Sequence, residues 1–379
     1  MSTIKVNKIE NTSTTDGGIS IDNSGHVTVD GQQLPSTGPL SNRNLVVNGA
    51  MRVAQRETQV TGKTLSGYYT CDRVRMALSS LGIWTFDQAS DAPPGFTKSF
   101  KATCTTPDTS PAASNLAYLQ YRMEAQDLQH LNFGTSDAVA MTLSFWVKSN
   151  KTGAASFMMF QNDNSNKLFS TSYTISSANT WEYKTIAIPA DTSGLINDDN
   201  GIGLTMAFWL NSGSDSTGGS YNTTWGTYVD ANTNVNNLGV GGAVNDNYAI
   251  TGIQLEVGSV ATPFEHRSFS DELQRCKRYF QKSYSYGTAV GANSTDGRYY
   301  FVLGTTTTAG NKGGSVYLGH EMRVAPTTNF YNDAGTQGVI QIPASSVTPL
   351  LLKTGVIAIY VANTTSREIA GAWTADAEL

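Results

Sequence analysis

Two stretches decide the fold: Met141-Thr142-Leu143-Ser144-Phe145-Trp146-Val147-Lys148 and Leu204-Thr205-Met206-Ala207-Phe208-Trp209-Leu210-Asn211. In an extended chain successive side chains point to opposite faces. Met141, Leu143, Phe145 and Val147 therefore share one face, as do Leu204, Met206, Phe208 and Leu210, while Trp146 and Trp209 point the other way. The pair reads as neighbouring or symmetry-related strands of a β-sandwich. Glu182 to Pro189 and Tyr248 to Val257 extend the pattern, and the Gly-, Ser-, Thr- and Asn-rich loops between them favour a jelly roll of two antiparallel sheets over about residues 41–267.

Upstream, Ile4 and Val6, Ile19 and Ile21, and Val27 and Val29 alternate with polar neighbours between turn clusters such as Asp16-Gly17-Gly18. Strands this short bury too little to fold alone. Residues 1–40 are therefore expected to form a trimeric β-stalk, ending in the linker Leu34-Pro35-Ser36-Thr37-Gly38-Pro39. Downstream, the sequence predicts a helix over Ser270 to Lys282, capped by Ser270, with Leu273, Cys276 and Phe280 as its apolar stripe. Arg298 to Gly304, Gly314 to Val324, Gly338 to Ile342 and Thr354 to Val361 then read as strands of a small β-rich C-terminal domain, residues 268–379. The fold class is all-β.

Charged residues make up only 15% of the 379 residues and the net charge is −5, against roughly 25% charged residues in ordinary soluble proteins. From Thr185 to His266 there is no Lys or Arg across 82 residues. Such a chain offers no basic face, so nucleic acid is not an expected partner. The longest apolar run, Gly355 to Ala362, is far short of the roughly 20 residues that span a bilayer, so no membrane insertion is expected, and the N-terminus carries no visible secretory signal. Cys71, Cys104 and Cys276 read as ordinary buried thiols.

Motifs for chemistry are sparse. His26, His130, His266 and His320 lie far apart with no metal-binding spacing, no Gly-x-Ser-x-Gly elbow occurs, and Gly239, Gly241 and Gly242 do not complete a nucleotide-binding loop. Asp215, Asp230, Asp246 and Glu256 could in principle supply a carboxylate pair for glycoside hydrolysis, yet they read better as turn and loop residues. Asn162 to Asn166, Asp198 to Gly201 and Asn245 to Asn247 could offer oxygen ligands to calcium but fit Asx-turns. No cofactor, metal or catalytic residue is assigned. The basic residues Arg275, Lys277, Arg278 and Lys282 read as a solvated helix face. The candidate binding residues are aromatic: Tyr221, Trp225 and Tyr228, set among Asn and Thr in a loop-like stretch, suit stacking against sugar rings.

The blocks Asn44-Leu45-Val46-Val47-Asn48-Gly49-Ala50-Met51-Arg52-Val53-Ala54-Gln55-Arg56, Asp72-Arg73, Gln254-Leu255-Glu256-Val257-Gly258, Ala261-Thr262-Pro263-Phe264-Glu265, Met322-Arg323-Val324-Ala325-Pro326-Thr327 and Ala375-Asp376-Ala377-Glu378-Leu379 resemble a jelly-roll domain of bacteriophage tail fibre and virion appendage proteins. The resemblance implies a carbohydrate-binding-module-like sandwich, a homotrimer, and localisation to the virion after assembly in the host cytoplasm. It supplies no catalytic residues. The expected function is a structural tail fibre or adhesin, joined to other tail or nozzle proteins through residues 1–40 and recognising a host-surface glycan. The alternatives are a purely architectural virion component and a polysaccharide depolymerase.

Overall fold

The computed structural model describes residues 8–10, 18–23, 25–29, 32–34, 41–163, 167–302, 310–341, 345–346, 348–364 and 368–379. Ile4, Val6, the linker from Pro35 to Pro39, Asn164 to Asn166, Gly304 and Ile342 lie outside them. Near the N-terminus, β1 (Lys8–Glu10), β2 (Gly18–Ile21), β3 (Val27–Val29) and β4 (Gln32–Gln33) form a small antiparallel sheet in chain order. Its apolar side chains are only partly covered: Ile9 is 57% exposed, Ile19 40% and Ile21 41%.

The body of the molecule is one long curled antiparallel sheet that folds over on itself. Its strands are β5 (Gln59–Tyr68), β6 (Arg75–Ala89), β7 (Ser99–Thr106), β8 (Leu116–Glu124), β9 (Met141–Ser149), β10 (Gly153–Gln161), β11 (Lys167–Ile175), β12 (Glu182–Ile188), β13 (Ile202–Ser212), β14 (Gly226–Thr227) and β15 (Asn247–Val257). They pair in the order β12-β9-β15-β7-β6-β8-β13-β10-β11-β14, with β5 alongside β6. The strand β6 turns the corner. Its first residues, Arg75 to Ser79, pair with β8, and its last, Ile83 to Ala89, pair with β7. The change falls at Ser80 and Gly82, both at positive φ (49° and 73°); a Cβ on Gly82 would lie 2.6 Å from the Thr106 carbonyl oxygen, so a side chain there is excluded.

Alternation places the side chains as the sequence suggests. Met141, Leu143, Phe145 and Val147 face Leu204, Met206, Phe208 and Leu210 in one core, with the Phe145 and Phe208 rings edge-to-face at 4.9 Å. The two strands are not hydrogen-bonded neighbours: β9 pairs with β12 and β15, and β13 with β8 and β10. They oppose each other across the sandwich.

The segment from Asn44 to Arg56 is a strap across the sandwich, held by a few main-chain bonds, such as Leu45 N–H to the Leu255 carbonyl and Ile253 N–H to the Gly49 carbonyl, and by many side chains. Asn48 donates to the carbonyls of Val53 (2.8 Å) and Asp72 (2.9 Å) and accepts from Val53 N–H (2.9 Å). Gln55 donates to the Asp72 carboxylate and to the Phe280 carbonyl. Asn44 accepts from Leu255 N–H at 3.1 Å. Gln254 and Glu256 complete the lock: Gln254 accepts from Glu265 N–H (2.8 Å), and Glu256 accepts from Thr262 N–H (2.9 Å) and Oγ1–H (2.6 Å).

The helix α1 (Phe269–Lys277) is shorter than the sequence predicts, and its cap is Ser268, whose hydroxyl accepts from Asp271 N–H at 3.1 Å. Ser270 is inside the helix. Phe280 belongs to a strand, because it pairs with the chain's last strand. Beyond α1 run β16 (Phe280–Lys282), β17 (Tyr299–Val302), β18 (Gly310–Tyr317), β19 (Thr327–Tyr331), β20 (Val339–Ile340), β21 (Ser345–Ser346), β22 (Thr348–Lys353), β23 (Val356–Thr364) and β24 (Glu368–Asp376). The strand β24 pairs with β16, β17 and β19, and β23 with β18 and β22. Val316, Met322, Phe330, Ile357 and Trp373 close a second core.

The end of β24 docks on the sandwich through buried charge. Arg73, 1% exposed, pairs with Glu378, lies 3.5 Å over the Tyr279 ring and donates to the Arg122 carbonyl. Arg56 pairs with Asp376 at 2.9 Å and with Glu378 at 3.4 Å. Tyr68 and Arg122 donate to the Leu379 main-chain oxygen. Arg73→Ala leaves the buried Glu378 carboxylate with only the longer Arg56 contact at 3.4 Å, and loss of one partner of a buried pair costs about 3–5 kcal/mol. Denaturant titration is expected to show a loss of that size, with Arg73→Lys falling between the two because lysine cannot reproduce the planar fork.

Candidate functional site

Opposite the main core, the outward side of the β8-β13-β10-β11 layer carries a strip of apolar and aromatic side chains. Tyr118 on β8 stands directly across from Trp209 on β13, and their rings meet at 4.6 Å. Ala207 pairs with Met158 on β10, and Phe160 lies opposite Leu168 on β11. These residues form one cluster. Arg75 donates to Gln120 at 2.8 Å, and the two stand beside Tyr118 on the same face by register.

Part of this strip is roofed by the loop between β13 and β15. Its fastening is polar: Asn222 N–H donates to the Ser170 hydroxyl (2.9 Å) and Ser170 N–H to the Asn222 carbonyl (2.8 Å), while Asn232 donates to Asn222 at 2.9 Å. Tyr221 and Trp225 belong to this fastening. The Tyr221 hydroxyl bonds Ser156 Oγ at 2.7 Å and accepts from Asn236 N–H at 3.1 Å. The Trp225 indole donates to the Pro189 carbonyl at 2.7 Å and packs on Phe133 and Phe169. Tyr228 differs: its ring stands edge-on to Phe160 at 5.9 Å and remains 37% exposed. The three loop aromatics thus do not share one open platform. Tyr228 instead joins Phe160, Trp209 and Tyr118.

The chemistry of this strip is that of flat rings with hydroxyl and amide groups at their rim. Trp209 is 2% exposed, and its indole N–H has no hydrogen-bond partner. An unpaired buried donor costs free energy, and its enclosure makes Trp209 the packed base of the strip while Tyr118, Phe160 and Tyr228 keep part of their surface open. Burial raises the Tyr118 and Tyr228 phenols above their ordinary value, Asp230 adding to the effect at Tyr228, so both stay protonated as neutral donors.

The other layer carries a second outward aromatic group. Trp146 lies against Tyr183 at 5.3 Å, and Phe96 sits between it and Phe264. Gly252 (φ +62°) makes room, since a Cβ there would fall 2.7 Å from Phe96 Cζ and 3.1 Å from Trp146 Cδ1.

Other sequence candidates have local roles. Asp246 accepts from Gly241 N–H (3.2 Å) and Ala243 N–H (3.0 Å), Asp199 from Gly201 N–H, and Asp163 from Asn197. Among the described residues no group of His, Cys, Asp and Glu side chains converges as a metal site. On the basic helix, Arg275 donates to Asn42 and Arg278 to Glu124.

The strip was partly readable. Trp209 occupies the outward position of an alternating strand, whereas Tyr118 and Phe160 lie on strands whose alternation is broken.

No family model and no curated protein matches the chain. Solved structures similar to it include the enzymatically active domain of bacteriophage CBA120 tailspike protein 4, at 13% identity and TM-score 0.29 over 56% of this chain and 21% of that one. A putative sugar binding protein from Bacteroides thetaiotaomicron VPI-5482 aligns at 11% identity and TM-score 0.32 over 57% and 100%. The module TmCBM61, solved in complex with β-1,4-galactotriose, aligns at 12% and 0.26 over 57% and 99%. The chain spans about a fifth of the tailspike's length. At these scores the superpositions carry no part of the fold assignment, which rests on the pairing and packing above.

The loop between β12 and β13 is tied to β10 and β11 by Asp191, which accepts from Lys167 (2.8 Å), Gln161 (2.6 Å) and Ser193 N–H (3.0 Å). Burial pushes its carboxyl up, but these donors outweigh burial and hold it below the ordinary value. A depressed folded-state value stabilises above the unfolded one, so the contribution is present above about pH 4 and lost as pH falls through the folded value. Thermal melts from about pH 3 to pH 7 are expected to show a flatter acid limb for Asp191→Asn than for the unaltered protein.

Proposed function

We propose that the protein is a structural appendage of a bacteriophage virion that binds a host-surface glycan. The observation that carries this reading is the outward aromatic strip in which Tyr118, Phe160 and Tyr228 remain partly exposed, with Trp209 packed beneath Tyr118. Sugar rings present apolar C–H faces and a rim of hydroxyls. Flat aromatic rings take the faces, and Arg75 and the tyrosine hydroxyls supply hydrogen bonds at the rim. The absence of Lys and Arg from Thr185 to His266 favours a neutral ligand over a phosphate-rich one.

In this reading residues 1–40 attach to other tail or nozzle proteins and gather three copies through Ile9, Ile19 and Ile21, which one chain leaves exposed. Residues 41–267 form the sandwich body and residues 268–379 the C-terminal domain. Weak sites at fixed spacing on a trimer give avidity that one site cannot. The role is binding, with Tyr221 and Trp225 shaping the loop that carries Tyr228.

The full chain is expected to run as a trimer in light scattering; a monodisperse monomer overturns the trimer. Immobilised host polysaccharide is expected to retain it and soluble protein to block phage adsorption, with Tyr118→Ala and Tyr228→Ala each weakening retention about tenfold, the value of roughly one good contact. Neither retention nor blocking would leave an architectural role, and release of reducing ends would replace binding by hydrolysis.

A further inference from the structure

A groove of about 420 Å³ opens where β5 meets β19 and β24. It lies apart from the Trp209 strip. Tyr69, Phe280 and Tyr331 line it; Phe280 and Tyr331 are buried, and the half-buried Tyr69, with Lys63 5.2 Å over its ring, is the aromatic most open to a ligand. The Tyr69 ring is stacked on Phe86 at 5.3 Å and its hydroxyl donates to the Leu65 carbonyl at 2.6 Å. Arg56 lies over Phe280 at 3.8 Å while paired with Asp376. The floor is therefore built by the same clamp that docks the chain's end, and it exists before any ligand arrives.

The rim supplies both kinds of hydrogen-bonding group. Glu57 is half-buried, and none of the hydrogen bonds among the described residues engages its carboxylate; burial raises its pKa against the opposing pull of Lys63. Gln337 Nε2 donates to the Asn329 side-chain oxygen Oδ1 at 2.7 Å, which leaves the Asn329 side-chain NH2 and the Gln337 side-chain oxygen for other partners. The charges balance within the groove, Arg56 against Asp376 and Lys63 against Glu57, so nothing there selects an ion. A partly open tyrosine ring, a mixed donor and acceptor rim, balanced charge and a volume within the range of small-ligand clefts suit a polyhydroxyl ligand.

We propose that this groove is a second saccharide site, taking one or two pyranose units of a neutral glycan, with Glu57 accepting from hydroxyls and Asn329 donating to them. The inference rests on the glycan-binding reading and adds a separate place for it. The full chain is titrated with galactose, glucose, rhamnose and N-acetylglucosamine by saturation-transfer NMR. The expected result is binding of at least one sugar that survives Tyr118→Ala and weakens about tenfold in Glu57→Gln. Gln337→Ala, at an exposed position, serves as the second groove variant and is expected to weaken the same sugar while the melting temperature stays unchanged. Binding lost in Tyr118→Ala and untouched by both groove variants overturns the groove site alone; no binding of any of these sugars to the unaltered protein overturns it as well, while retention on host polysaccharide still decides the wider reading.

Discussion

A guanidinium that cannot reach water organises this molecule. Arg73 is enclosed by Tyr121 and Tyr279, and a buried cation is tolerable only with a counter-charge and hydrogen bonds. Glu378 supplies the charge. Because that carboxylate lies just beyond β24, satisfying Arg73 fixes where the last strand runs, and hence where β16, β17 and β19 stand. Arg56 repeats the logic from the strap, reaching Asp376 and Glu378. Segments far apart in sequence are thus brought together by the cost of leaving one charge alone.

Legibility followed the simplicity of each strand's environment. β9, β12, β13 and β15 have one clear apolar face, and their limits fall within a residue or two of those read from alternation. β10 reads Ala-Ala-Ser-Phe-Met-Met-Phe because Met158 is covered by the outward cluster while Phe157 and Met159 face the core; burial on both sides erases the period. β6 changes faces at Ser80 to Gly82, so its pattern slips midway. The resemblance blocks were legible as recurring residues whose roles only the structure supplies: Asn48, Asp72, Arg73, Gln254, Glu256 and Glu378 satisfy buried backbone and charge. In the site, Trp225 was misleading because its indole turns inward to Phe133 and Phe169, a direction that local sequence does not encode.

The long stretch without Lys or Arg also has a topological cause. Lysine commonly guards sheet edges, yet β13 and β15, the main strands of that stretch, each have hydrogen-bonded neighbours on both sides. The edge strand β12 begins just before it and carries Glu182 paired with Lys184 at 2.7 Å. At this edge a lysine is present, whereas the two central strands carry none, and amides, hydroxyls and the buried Glu256 satisfy the backbone around them.

The three thiols extend this economy to redox chemistry. Cys71, Cys104 and Cys276 are free and buried, and burial raises each above the ordinary thiol value, Cys104 to about 11. Thiolate is the form that oxidants and disulfides attack, and access is required as well. Folding of the chain therefore involves no disulfide among these cysteines and leaves no reactive thiol at the surface. None of the three thiols is therefore poised to change its covalent state when the redox potential of the medium changes.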